Sequence, residues 1–141
     1  MNDNIVFKKI WEDANLIEIE LTCISPVITT TSRILVCDDL IDELADKINQ
    51  FLEGKIKETI WQNEEKGNKS PPCAILHFLN KDARGHILVE VFLEVDDGGD
   101  FTKHNCCFYI NTEHGLLMNF SNKLSRLKSK SEKYEIQLNS Y

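Results

Sequence analysis

Histidines, cysteines and paired carboxylates are the groups in this 141-residue chain with the most chemistry to offer. The nearest approach to a metal-ligand set is His104-Asn105-Cys106-Cys107 with His77 or His86. Adjacent residues of a strand point to opposite faces, so Cys106 and Cys107 do not share a site, and no second pair has zinc-finger spacing. For thiol catalysis, no cysteine is expected at a helix start, where its thiolate would be stabilised. His114 falls in the first turn of an expected helix and reads as a capping or packing group. Glu90 and Glu94 share one face of a strand, and Glu18 and Glu20 share the equivalent face of another. Hydrolase chemistry would need one acid of such a pair desolvated across a cleft. Leu88 and Phe92 instead space these acids along a broad surface. Asp96-Asp97-Gly98-Gly99-Asp100 has neither the alternation nor the distal glutamate of a calcium loop and reads as a hairpin turn. No phosphate-cradling glycine loop is present. These patterns point to no catalytic residue, no metal and no cofactor.

Composition narrows the class. Apolar residues make up 42% and charged residues 28%, as in an ordinary globular chain. The length suits one domain over residues 1–141 that buries about two-thirds of its unfolded surface. Twenty-three acidic against sixteen basic residues give a net charge of −7, which disfavours nucleic acid and is compatible with a basic protein partner. No apolar run reaches the roughly 20 residues that span a bilayer, and the N-terminus lacks a signal-peptide core, so no membrane partner and a cytosolic location are expected. In that compartment the five cysteines read as structural thiols.

The elements that position these groups are organised around Ile87 to Val95. Ile87, Val89, Val91, Leu93 and Val95 alternate with Leu88, Glu90, Phe92 and Glu94, as a central antiparallel strand with one buried face requires. Further strands are expected over Ile5 to Trp11, Leu16 to Cys23, Val27 to Cys37, Cys73 to Leu79, His104 to Ile110 and Tyr134 to Leu138. Leu40, Ile41, Leu44, Ile48, Phe51 and Leu52 predict a helix capped by Asp38 or Asp39 and closed by Gly54. Leu116, Leu117, Phe120, Leu124 and Leu127 predict a second, capped by Asn111 or Thr112. Within residues 55–72, Ile56, Ile60 and Trp61 could form a short strand or helical turn, but the stretch reads as a mobile connection, or as a binding loop with Trp61 as a rim anchor. The expected fold is α+β, a twisted antiparallel sheet with two helices packed on one face, in the order βββ-α-βββ-α-β.

The sheet face left open by the helices then carries the candidate partner-binding residues: Glu18, Glu20, Leu88, Glu90, Phe92, Glu94 and Tyr109, with Trp61 at the rim. A mixed aromatic and acidic surface suits a basic protein. Self-association through the same face is the alternative, and a small hydrolase with an unrecognised site is the third reading. The run Phe7 to Asp13, the helix Leu40 to Phe51, the stretch Gly85 to Glu94 and the run Cys107 to Glu113 resemble small bacterial α+β proteins of the immunity-protein type, found in contact-dependent or polymorphic toxin systems. That resemblance implies a cytosolic, non-enzymatic inhibitor of a cognate toxin. It carries over no site residues.

Overall fold

Period-two alternation dominates the chain, and the computed structural model, which describes residues 2–67, 72–96 and 104–140, turns it into eight strands. Three lead the chain: β1 (Asn4–Glu12), β2 (Ile17–Ile24) and β3 (Thr29–Val36). Helix α1 (Asp38–Leu52) separates them from β4 (Glu58–Gln62), β5 (Ala74–Asn80), β6 (His86–Val95) and β7 (His104–Glu113). Helix α2 (His114–Lys123), a single turn α3 (Arg126–Ser129) and β8 (Glu135–Asn139) complete the order.

The fold is α+β and antiparallel, as expected, but the strands form two sheets and not one. One sheet, here sheet A, runs β3-β2-β1-β8; the other, sheet B, runs β4-β5-β6-β7. The division has a plain cause. Hairpins link β1 to β3 and β4 to β7, whereas the link between the sets passes through α1, and β8 returns to β1. Two sheets can also bury their apolar faces against each other, which one broad sheet cannot. Ile5, Phe7, Ile19 and Leu21 of sheet A share a single buried cluster with Leu76, Phe78, Val89 and Val91 of sheet B. The helices complete it. Phe120 of α2 meets Phe7 edge-on at 5.3 Å, and Phe51 of α1 approaches Phe78 at 6.4 Å between ring centres.

The expected stripe of α1 is buried through Ile41, Leu44, Ile48 and Phe51. Gly54, at φ +78°, closes the helix as anticipated: its N–H reaches the Phe51 carbonyl and that of Lys55 reaches Gln50. The start differs. Cys37 is the N-cap, so a cysteine does stand at a helix start, contrary to expectation; Asp38 and Asp39 lie in the first turn, where their charge complements the helix dipole without a side-chain cap. Asn111 and Thr112 cap nothing either. They continue β7, because Thr112 is fully buried and its hydroxyl donates to the Asn139 carbonyl at 2.8 Å.

The stretch 55–72 is the largest departure among the described residues. It contains β4, paired to β5 from Glu58↔Leu79 to Gln62↔Ile75. Trp61 is 1% exposed, and its indole N–H donates to the Leu40 carbonyl at 2.9 Å. It is a core residue, not a rim anchor, because Thr59 and Trp61 face inward while Glu58, Ile60 and Gln62 face outward. Residues 68–71, and most of the turn expected at 96–100, lie outside the described residues. No helix among the described residues is long and apolar enough to cross a membrane.

Candidate functional site

Because the inner faces of both sheets meet in one core, their outer faces are separate surfaces. Glu18 and Glu20 lie on the outer face of sheet A, while Leu88, Glu90, Phe92 and Tyr109 lie on that of sheet B. The structure therefore does not bring the two glutamate pairs together as one face.

The two surfaces differ in kind. On sheet A, Glu20 stands between Lys8 and Arg33 across the ladder, with its carboxylate 3.7 Å from the Arg33 Nε. Thr22 and Thr31 share a hydrogen bond beside it at 3.0 Å. Glu20 is thus matched by cations within its own surface, whereas Glu18 stands opposite Trp11 and Leu35.

On sheet B, register places Ile60, His77, Glu90 and Tyr109 side by side across all four strands. The Tyr109 hydroxyl donates to Glu90 Oε2 at 2.8 Å. The His77 ring lies between two carboxylates, with Nε2 3.3 Å from Glu58 and Nδ1 3.6 Å from Glu90. Apolar side chains flank this row: Ile75 and Phe92 on one side, Leu79 and Leu88 on the other, all partly exposed. Ile60 and Tyr109, at 46% and 49%, are among the most exposed large apolar groups of the chain. Cys107 stands opposite Phe92 on the same face.

Electrostatics follow from this geometry. The hydrogen bond from Tyr109 to Glu90 favours the neutral phenol, and with the carboxylate's charge it raises the Tyr109 pKa above the ordinary tyrosine value. Desolvation first, then the charge of Glu90, raises the Cys107 thiol. Both effects favour the neutral forms of Tyr109 and Cys107 beside Glu90. Glu58 and Glu90 keep contact with water, with 59% and 36% of their side chains exposed, so neither has the desolvated setting of a general acid. An open face with wet carboxylates among apolar groups is suited to receiving a cationic, partly apolar surface.

Glu94 departs from expectation. It shares the outer face of β6, but the chain before β5 covers it and leaves it 4% exposed. Its two carboxylate oxygens accept from the Gly67 N–H at 2.8 Å and the Cys73 N–H at 2.9 Å. It holds this segment in place and does not form part of the open surface.

The cysteines are unbridged. Cys23 and Cys73 are buried, Cys37 and Cys106 are partly exposed, and Cys107 is exposed, so Cys107 does not fit the expectation of a structural thiol packed in the core. Burial pushes the Cys23 thiol far above its ordinary range. Among the described residues no group of three or more His, Cys, Asp or Glu is arranged to hold a metal ion.

Sequence reading missed His77, Ile60 and Ile75, although alternation in β5 does place Ile75, His77 and Leu79 on one face. What it lacked was the register that sets them beside Glu90 and Phe92. No protein-family model, curated protein or solved structure matches the chain.

Proposed function

We propose that this chain is a non-enzymatic binding domain whose sheet B outer face docks a basic protein. The observation that carries the reading is the contrast between the two outer faces. On sheet A, Glu20 is matched by Lys8 and Arg33, whereas sheet B sets Ile60, Phe92, Leu88 and Tyr109 around an anionic centre at Glu90. Apolar surface gives such a contact its affinity, and the carboxylates Glu58 and Glu90 select the sign of the partner. The net charge of −7 acts in the same direction at longer range. With the resemblance to immunity-type proteins, this favours a cytosolic inhibitor that occludes a basic bacterial toxin. Self-association through the same face would bring two copies of net charge −7, each with its Glu58 and Glu90 carboxylates, into one interface, an arrangement of like charges that costs free energy.

The test pairs face-directed variants with sedimentation of the purified protein. A partner captured from the native host should be retained by Glu18→Lys, on sheet A, and lost by Glu90→Lys and Phe92→Ala, on sheet B. The protein alone should sediment as a monomer. A dimer disrupted by both sheet B variants would establish self-association instead. Equal retention by all three variants would remove sheet B as the docking face.

A further inference from the structure

The Phe92 ring already carries a cation. The Lys66 ammonium lies 4.3 Å from its centroid, within the range where the negative face of an aromatic ring attracts positive charge. Lys66 belongs to the turn that follows β4, and the next residue, Gly67, is tied by its N–H to the buried Glu94 carboxylate. The backbone is thus anchored beside the ring while the Lys66 side chain remains exposed. Glu90 shares the surroundings. It stands two residues before Phe92 on the same face, and the charges of Glu90 and Lys66 act in opposite senses on the Cys107 thiol directly across the ladder.

An aromatic ring beside a carboxylate is a receptor for a guanidinium or ammonium group, since one offers a π-face and the other a countercharge. In this protein that receptor is filled from within. We propose that Phe92 and Glu90 form the subsite for an arginine or lysine side chain of the protein partner, and that Lys66 occupies it until docking displaces it. This rests on the reading of sheet B as the docking face and names the chemistry that the face takes. Lys66 competes by proximity: an exposed contact of this kind weakens a rival cation roughly two- to fivefold. Arginine is the better rival, because its planar group stacks on the ring while its N–H groups reach the carboxylate.

The probe is an acetylated, amidated arginine oligopeptide, with the isosteric neutral citrulline peptide as control, followed by NMR of the full chain. The arginine peptide should move the Phe92 ring resonances, and the citrulline peptide should not. Lys66→Ala should bind the arginine peptide roughly two- to fivefold more tightly than Lys123→Ala, which removes an equal charge on α2. Phe92→Leu, which keeps an apolar side chain without a π-face, should abolish the gain from Lys66→Ala. Equal gains in the Lys66 and Lys123 variants would overturn the proposal, as would a peptide that moves Glu90 and Leu88 but not Phe92. A peptide that perturbs only Glu18, Glu20 and Arg33 would overturn the docking reading as well.

Discussion

Glu94→Gln removes one negative charge from a site where almost no water reaches. The carboxylate is 4% exposed and accepts two backbone N–H groups, from Gly67 at 2.8 Å and Cys73 at 2.9 Å. Glutamine keeps one acceptor oxygen, so its NH2 must turn toward one of the two N–H groups, donor against donor. The Gly67 amide is only partly buried and can rehydrate, whereas the Cys73 amide is buried. Losing one charge-assisted bond and straining the second costs about 2–4 kcal/mol in total. The thermal midpoint should then fall by roughly 6–12 °C, at about 3 °C per kcal/mol for a domain of this size. The assays are thermal and urea unfolding, with amide hydrogen exchange at Cys73 as the local reporter. Exchange at Cys73 should accelerate while that of Val89 and Val91 changes only by the global loss. A stability change below about 0.5 kcal/mol, typical of an ordinary surface site, would refute the claim that this carboxylate holds the segment.

Val91 lies on the inner face of β6 and is fully buried, so Val91→Ala should cost about 1–3 kcal/mol in urea unfolding through lost burial and a residual cavity; no loss would contradict its place in the shared core. Tyr109 should titrate above the ordinary tyrosine range, followed by near-ultraviolet absorbance, and Glu90→Gln should bring it back toward that range. The bond to Glu90 is made by the neutral phenol, so whatever it contributes is present below the ordinary tyrosine pKa of about 10 and is lost as pH rises through the higher folded value. An unchanged titration in Glu90→Gln would show that the bond is not formed in solution.

Much of the fold was legible wherever a local pattern carried it. The alternation of Ile87 to Leu93 gave the correct inner face of β6, and the spacing from Ile41 to Phe51 with Gly54 behind it gave α1 and its close. What failed depended on distant chain. Glu58–Gln62 is short, polar at both ends and preceded by a loop, so its pattern fits a strand or a helical turn alike, and only its pairing with β5 and the burial of Trp61 under α1 decide for β4. Strand patterning sorts residues onto faces but does not say which sheet they join, and β8 pairs with β1, at the opposite end of the chain. The candidate site followed the same rule. Leu88, Glu90, Phe92 and Tyr109 are on one surface as β6 and β7 alternation implied, while Glu18 and Glu20 belong to another sheet. Glu94 is on the correct face and still buried, because a segment from before β5 crosses it.

The central claim is that the outer face of sheet B meets a positively charged protein. The most direct measurement is the salt dependence of the association rate between the purified chain and its captured partner, compared across single charge reversals on the two sheets. Opposite charges attract over about 8–10 Å at physiological salt, so the wild-type rate should fall steeply as salt rises. Glu90→Lys should slow association at low salt and flatten that dependence, Phe92→Ala should mainly speed dissociation, and Glu18→Lys should have the smaller effect on both. A salt-insensitive rate, or equal effects of Glu18→Lys and Glu90→Lys, would contradict it.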